Sequence, residues 1–441
     1  MEEDKRNVML FFAVSILIMI GYQYLFDKSA VTETTTQVIE EKTSAPAISS
    51  APKAAVSVQQ AKIENIRLEN ENISGTICSQ GARIDNISLK KYKKDSDGDE
   101  VVQVLDGENY FAQTIWTSDD PNVILPDKNS RWKANSTNLS EDSPVTLTWD
   151  NGAGLLFEKY ISIDKNYLIT IVDRVKNYGS VSESLKSAAI VSRNFESADG
   201  AVSFYEGPIG CMNGKVEEVK YEDISKKKEI RYQTQGGWFG VTDKYWLTAF
   251  VPNQKSNCDV VFKHLTVGDK NVYKIESSTD SMQIDPASGV SKEHRLFVGA
   301  KEIKTLDMYE EKLDVKSFDL AIDFGWLYIL TKPLLYILAY IKDLVGNMGL
   351  GILLITLLIK LLLFPLANKS YRSMNRMSAM QPKIQALKKK YEGDSAKFGQ
   401  AVSELYKKEG INPVGGCLPL LLQSPVLFAL YKVLYISIEM R

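Results

Sequence analysis

The chain has 441 residues, with 53 Lys and Arg against 55 Asp and Glu and a formal net charge of −2 at pH 7. This length exceeds the usual size of a single domain, so two or more folding units are expected. The apolar residues are unevenly spread: residues 7–26 carry no charge, and a second apolar region fills much of the chain from Phe324 onward. This distribution excludes a purely soluble protein.

Residues 1–27 are predicted to form an N-terminal transmembrane anchor, because their charge-free run is about as long as a bilayer is thick. A cleaved signal peptide is the alternative. The run is long for such a peptide, however, and Lys28 disrupts the small-residue site that Ser29 and Ala30 would form. Residues 28–60 are rich in Ser, Thr, Ala and Pro, and we expect a flexible linker there.

Residues 61–318 are predicted to form a large all-β sandwich. Their pattern consists of short alternating runs broken by Asn, Asp and Gly, as at 145–150, where Val, Leu and Trp alternate with Thr, Thr and Asp. The run at 167–175 is dense in β-branched residues. No stretch of this segment indicates a long amphipathic helix, so an all-β domain is expected.

Helical segments occupy the C-terminal part of the chain. Residues 319–345 are predicted to form an amphipathic helix in the membrane interface rather than a span, because residues 325–345 are apolar over much of their length but contain three charges and an internal proline. Residues 346–367 are predicted to form transmembrane helix 2, ended by Pro365. Residues 412–441 are predicted to form transmembrane helix 3, which returns across the membrane.

Residues 368–411 are predicted to form a basic helical hairpin between these two spans. Apolar residues recur at helical spacing on both sides of a break at Gly393 and Asp394, and they are Met380, Ile384, Leu387, Tyr391, Phe398, Val402 and Leu405. The lysines expected on its outer faces are Lys383, Lys388, Lys389, Lys390, Lys407 and Lys408.

Charge segregation predicts the topology. Residues 366–411 hold 10 Lys and Arg against 4 Asp and Glu, whereas residues 27–345 hold 38 against 47. By the positive-inside rule the hairpin is cytoplasmic, which places the N-terminus on the same side and the β domain on the other.

Lys360 carries the single charge in the second predicted span, where a lysine costs roughly 2.5 to 3.5 kcal/mol at the helix centre. One interpretation places its ammonium group in a water-containing groove that attracts a polar segment of a client protein. The other is snorkelling, because Lys360 lies about 7.5 Å before Pro365. Thr356, Gln423 and Ser424 favour a hydrated inner face, although the same residue types also serve in plain helix packing.

No catalytic motif is present in the sequence. It contains no Walker motif, no dinucleotide fingerprint and no G-x-S-x-G, and its two histidines, His264 and His294, have no second ligand at metal spacing. We therefore expect neither enzyme activity nor a bound metal or cofactor.

Three segments are similar to the core of the YidC type of the YidC/Oxa/Alb family of membrane protein insertases. They are residues 323–366, 380–391 and 411–431. Residues 236–252 (GGWFGVTDKYWLTAFVP) resemble a segment of that family's periplasmic domain. The likeness covers nearly the entire chain. It implies a multi-domain protein of the bacterial inner membrane, with an α-helical transmembrane core, a large periplasmic all-β sandwich domain and a cytoplasmic helical hairpin.

The resemblance also implies a function. Such a protein inserts inner-membrane proteins and assists their folding, alone or with the Sec translocase, through a hydrophilic groove within the membrane. Lys360 stands where many relatives have Arg. Lysine keeps the positive charge but cannot form the bidentate hydrogen bonds of an arginine. The family has five spans and this sequence ends at Arg441 after the third, so we expect a C-terminally truncated form.

The partners implied by the resemblance are nascent membrane proteins, the Sec translocase and anionic lipid. The ribosome and the signal-recognition-particle receptor are further candidates, whereas DNA, ATP and cofactors are not implied.

Two other functions stay open at this point. One is a membrane-tethered periplasmic sugar-binding or assembly module, because the family's β domain resembles sugar-binding sandwiches; it predicts a cleft with convergent carboxylates and histidines. The other is a chaperone that acts only beside the Sec translocase. Deletion of residues 61–315 distinguishes an insertase from a periplasmic module, because an insertase is expected to tolerate much of that loss and a periplasmic module is not.

Overall fold

The computed structural model describes residues 65–95, 98–195, 205–410 and 418–440. All of them belong to one compact unit. The predicted anchor and linker lie outside these residues, as does the beginning of the predicted third span.

Twenty strands are found in the described residues. They are β1 (Asn65–Glu69), β2 (Ile73–Cys78), β3 (Arg83–Lys93), β4 (Val101–Asp106), β5 (Tyr110–Thr117), β6 (Lys133–Ala134), β7 (Asn138–Leu139), β8 (Val145–Asp150), β9 (Leu155–Ile163), β10 (Leu168–Asn177), β11 (Glu183–Asn194), β12 (Gly207–Met212), β13 (Lys215–Glu218), β14 (Glu229–Gln235), β15 (Trp238–Thr242), β16 (Trp246–Val251), β17 (Asn257–Val267), β18 (Lys270–Ser278), β19 (Met282–Ile284) and β20 (Gly289–Ala300).

The strands form two sheets that share a hydrophobic core. The first has the order β14-β17-β18-β11-β5-β4-β3-β2-β1-β7, with β19 paired to β11, and the second has the order β13-β12-β15-β16-β20-β10-β9-β8-β6. Strand β9 buries every second residue, as a sheet with one face on a core must. The prediction of an all-β domain in this part of the chain is therefore confirmed for its sheets.

Helices are nevertheless present within the segment that was predicted to be all β. They are α1 (Tyr221–Lys227) and α2 (Ile303–Leu313). Helix α2 buries Ile303, Leu306 and Tyr309 against the core, which is the spacing of an amphipathic helix. The sequence analysis excluded only a long amphipathic helix and did not identify α2, which has eleven residues and is flanked by strands.

Five further helices follow in the described residues. They are α3 (Tyr328–Val345), α4 (Met348–Ala379), α5 (Gln381–Lys390), α6 (Ser395–Lys408) and α7 (Leu418–Ile436), with 3₁₀ turns at Asp319–Ala321 and Ile438–Met440. Helices α3, α4 and α7 contact one another pairwise. Their shared seam buries Leu338, Ile355 and Val433 completely.

Helix α4 does not end at Pro365 as the sequence predicted, but continues for 14 residues to Ala379. Proline removes one backbone hydrogen bond and usually kinks a helix, yet good helix formers on both sides can carry the helix past it. The first part of the predicted hairpin is therefore an extension of α4. Helices α5 and α6 follow it and contact each other, and the Lys383 Nζ atom lies 2.7 Å from Glu409 Oε1.

Candidate functional site

The helical region exposes an unusual amount of apolar surface. Only a narrow stripe of α4 around Ile355 is buried, whereas Leu353 is 67% exposed and Leu362 is 73% exposed. Other large apolar residues exposed on α4 and α7 are Leu350, Leu354, Leu357, Leu358, Leu361, Phe364, Leu427, Phe428 and Tyr431. Leaving such a side chain in water forgoes about 1.5–3 kcal/mol, so this surface is suited to contact with hydrocarbon.

One helix in the described part of the chain is long and apolar enough to cross a membrane by length and composition, at Met348–Pro365. Its N-terminus is capped by the Asn347 side chain, which accepts a hydrogen bond from the Leu350 N–H.

Lys360 lies within this apolar stretch. Its side chain is exposed, and it forms no hydrogen bond or ion pair with any residue that the structure describes. Thr356 lies one turn earlier on the same side of α4, half-buried, and its hydroxyl donates to the Ile352 carbonyl at 2.7 Å. The hydroxyl proton of Thr356 is thus already used within the helix, and its oxygen can act only as an acceptor.

Gln423 and Ser424, the other two predicted groove residues, are half-buried on α7. They precede Pro425, which has no N–H and so leaves one helix carbonyl without its usual donor. No hydrogen bond or ion pair in the described structure links Gln423 or Ser424 to Lys360. The structure therefore brings the four predicted residues onto two contacting helices, without bonding them into one cluster.

The six hairpin lysines on α5 and α6 are all exposed. The apolar residues at 384, 387, 398, 402 and 405 are half-buried instead, so each helix has one sheltered and one charged side.

Sequence reasoning missed a polar junction between the β domain and the helices. Along α3, Lys332 pairs with Asp319 at 2.6 Å, and the Tyr336 hydroxyl donates to both oxygens of Asp307 at 2.7 and 2.8 Å. A third contact is the ion pair between Asp343 and Lys304. Burial raises the pKa of Asp307. The polar residues 332, 336 and 343 share one face of α3, and that spacing was the available signal.

These contacts fix the orientation of the helices relative to the β domain. The polar face of α3 contacts α2 through Tyr336 and Asp343, and α4 begins three residues after α3 ends. The last turns of α7 return to the same end, where Lys432 donates to Asp323 Oδ2 at 2.7 Å. Because α4 has 32 residues, about 48 Å at 1.5 Å per residue, α5 begins far from the β domain.

The β domain contains its own buried polar residues around Lys159, and the protons of that lysine are all bound within the domain. Lys159 Nζ donates to the Thr114 carbonyl, Thr114 Oγ1 and Asp173 Oδ1 at 2.8, 2.6 and 2.6 Å, which uses all three of its protons. His294 Nε2 lies 2.7 Å from Ser187 Oγ, and burial lowers the pKa of His294 to about 4. A cavity of about 180 Å³ adjoins Lys159, and no group of His, Cys, Asp and Glu suited to a metal is found in the described residues.

Comparison with known proteins gives a consistent result. The family profile described as "YidC periplasmic domain" matches residues 65–337, and the profile "60Kd inner membrane protein" matches residues 340–441. A protein from Rickettsia prowazekii (strain Madrid E) named "Membrane protein insertase YidC" is 38% identical over 455 residues, covering 100% of this chain and 81% of its own. The protein of the same name from Rickettsia bellii (strain OSU 85-389) is also 38% identical over 455 residues.

A solved structure of an active YidC insertase is also similar. It covers 86% of this chain and 74% of its own, at 18% identity and a TM-score of 0.30, a likeness too weak to add support.

Proposed function

Since the chain belongs to the YidC family of membrane protein insertases, we propose that it inserts nascent membrane proteins along the polar strip formed by Lys360, Thr356, Gln423 and Ser424. It is an insertase of the inner membrane and not an enzyme, in keeping with the names of its relatives and of its family. The sugar-binding or assembly alternative is not favoured by those names.

The observation that carries the proposal is the unpaired state of Lys360 within the described structure. A lysine near the middle of a span costs roughly 2.5 to 3.5 kcal/mol, which a partner or water must offset. Snorkelling to the headgroups offsets part of this cost. A client with an acidic or polar end offsets more, because the attraction is stronger in a medium of low dielectric constant.

The mechanism follows from that attraction. The polar end of a client enters the strip, where the ammonium group of Lys360 and the oxygens of Thr356 and Ser424 replace part of its hydration. The apolar part of the client then moves sideways into lipid along the exposed leucines of α4. The hydrophobic effect supplies the free energy of this second step, so no nucleotide or cofactor is required.

For the topology, we propose that the β domain is periplasmic, that α3 lies in the membrane interface and that the N-terminus and the α5–α6 hairpin are cytoplasmic. Two observations support this assignment. The hairpin segment is strongly basic while the β segment is acidic, and α5 begins about 48 Å from the end of α4 that adjoins the β domain. The transmembrane core then consists of α4, α7 and the anchor at residues 1–27.

The hairpin lysines are proposed to contact acidic partners in the cytoplasm. Lys388, Lys389 and Lys390 end α5 and are exposed, as are Lys407 and Lys408 at the end of α6. Such clusters bind anionic lipid headgroups and phosphate backbones without sequence preference. The ribosome, the signal-recognition-particle receptor and anionic lipid are therefore proposed partners here, and the Sec translocase is a proposed partner at the membrane.

Photocrosslinking tests the polar strip directly. A photoreactive residue is placed at Gln423, and a matched control is placed at Phe428, which is exposed on the same helix. Ribosome-bound chains of a short membrane protein, stalled at several lengths, are then presented to membranes that contain the protein.

We expect client crosslinks at Gln423 that appear only over a window of client lengths and weaken in Lys360→Leu, with fewer at Phe428. Equal crosslinking at both positions, or crosslinks to lipid alone at Gln423, would refute the strip as the client path.

A further inference from the structure

The segment between α2 and α3 is an integral part of the β domain core. We call residues 315–324 the strap; Val315, Phe318 and Phe324 are buried. The ring of Phe318 packs edge-on against Trp238 and Phe297, with 5.5 Å between centroids in each case. These contacts anchor the strap to β15 and β20 of the second sheet.

Polar contacts hold the backbone of the strap as well. Glu310 on α2 accepts hydrogen bonds from the N–H groups of Phe318 and Asp319 at 2.9 and 3.3 Å. Lys301, which is buried, donates to the Ala321 carbonyl at 3.2 Å and to Thr242 Oγ1 at 2.9 Å. The strap thus has few ways to move without disturbing the β domain.

Two carboxylates of the strap point to two different helices. Asp319, whose side chain is 4% exposed, pairs with Lys332 on α3 at 2.6 Å. Asp323 pairs with Lys432 on α7 at 2.7 Å and also accepts hydrogen bonds from the N–H groups of Tyr205 and Gly325. Both ion pairs are partly or wholly sheltered from water, so they are stronger than an exposed pair.

A further contact fixes the end of α7. The Lys244 ammonium group, from the β15–β16 turn, lies 3.8 Å from the centroid of the Tyr435 ring. Helix α7 is therefore held at Lys432 and again almost one turn later, both times by the β domain.

We propose that Asp319 and Asp323 are positioning residues for insertion: one rigid strap holds α3 and α7 at a set separation and so sets the gap between α4 and α7. The inference rests on the proposed function, because α4 carries Lys360 and α7 carries Gln423 and Ser424. The two carboxylates are only four residues apart, and each pairs with a helix that contacts α4. Loss of either ion pair removes one of the contacts that hold α3 or α7 to the β domain.

The test measures the gap and the activity separately. Spin-labelled non-natural residues at Leu357 on α4 and Leu427 on α7, both exposed, report the distance between the helices in the full chain reconstituted in vesicles. Non-natural labels leave the native cysteines untouched. The variants are Asp323→Asn, Lys432→Met, their double mutant and Asp319→Asn, and each is also assayed for insertion of a short membrane protein.

A matched control removes an ion pair that does not reach the helices. Lys186 pairs with Asp119 at 2.7 Å on the exposed surface of the β domain, so Lys186→Met and Asp119→Asn change the same chemistry elsewhere.

We expect the distance distribution to broaden and insertion to fall several-fold in both single variants of the Asp323 pair. The double mutant should be no worse than either single variant, because the two residues act through one contact. Asp319→Asn should behave similarly, and the control variants should match the unaltered chain.

An unchanged distance distribution in the Asp323 and Asp319 variants would overturn the inference, whatever their insertion activity. A broader distribution with full insertion activity would also overturn it, since the gap would then not matter. Failure of the unaltered chain to insert a client would instead count against the proposed function, while the distance measurement would still decide whether the strap sets the gap.

Discussion

Two lysines in apolar surroundings show how the β domain differs from the helical region. Lys159 lies in the sandwich core with 3% of its side chain exposed, and three acceptors of its own chain bind its three protons. Lys360 lies among exposed leucines on α4 and has no partner in the described structure. The β domain satisfies its own buried charge, whereas the helical region leaves a charge for another molecule to satisfy.

The largest effect on stability is expected when the paired lysine, Lys159, is replaced. Lys159→Met leaves Asp173 buried without its cation, which should lower the free energy of unfolding by about 3–5 kcal/mol. Chemical unfolding of the full chain in detergent, followed by tryptophan fluorescence, measures this, since five of the six tryptophans are in the β domain.

Lys176→Met is the control for this variant, because its pair with Glu158 is more exposed and should contribute about 1 kcal/mol or less. Equal losses of unfolding free energy in the two variants would show that the buried ion pair of Lys159 stabilises the fold no more than an exposed pair does.

The second prediction concerns His294 beside the same pair. Its folded-state pKa is about 4 because of burial, whereas an unfolded histidine titrates near 6.5. As the pH falls through that interval, the unfolded chain binds a proton that the folded chain does not. The free energy of unfolding should therefore fall, by up to about 3 kcal/mol between pH 6.5 and pH 4.

His294→Gln isolates this contribution, because other groups titrate equally in both proteins. The difference in unfolding free energy between the two proteins should change steadily over that pH interval. A difference that is independent of pH would contradict the assignment of a low pKa.

Local sequence patterns predicted much of the fold. Alternation predicted β8, the density of β-branched residues predicted β10, and helical spacing predicted α5 and α6 together with the break between them. The same local rules failed at Pro365, where the helix continues, and at α2, whose eleven residues give only three apolar turns between strands. At α2, packing against the core decides the state of a segment whose local preference is weak, whereas α4 continues past Pro365 through a stretch in which no described side chain is buried.

The partners of the polar face of α3 and of Lys432 could not be predicted, because they are distant in sequence. Asp323 and Lys432 are separated by 109 residues, and nothing in either neighbourhood identifies the other. Lys360 was identified at once, since a charge in an apolar span needs no partner to be conspicuous. Its role in insertion stays a prediction.

A smaller effect on stability is expected at the unpaired lysine. Lys360→Leu removes no hydrogen bond or ion pair within the described structure, so the free energy of unfolding should change by less than about 0.5 kcal/mol. The unfolding measurement used for Lys159→Met applies here as well. A loss of 2 kcal/mol or more, on the order of a broken buried contact, would mean that Lys360 has an internal partner.

The smallest effect on stability is expected for the hairpin. Replacement of Lys388, Lys389 and Lys390 by Gln should leave unfolding unchanged, because all three are exposed. Ribosome binding, measured by cosedimentation over a range of salt concentrations, should weaken, and its salt dependence should become less steep by about one unit for each lost phosphate contact.

The control for the hairpin is the run Lys226, Lys227 and Lys228 in the β domain, replaced in the same way. If the two triple variants bind ribosomes equally well, the hairpin is not the contact surface.

The most direct test of the central claim is the rate of client insertion into vesicles that contain the unaltered chain, Lys360→Arg or Lys360→Leu. The proposed strip requires a positive charge at this position and no fixed geometry, so Lys360→Arg should insert at close to the original rate. Lys360→Leu should be several-fold slower although it is equally well folded. Insertion by Lys360→Leu at the original rate would contradict the account, because the unpaired charge would then have no part in moving the client.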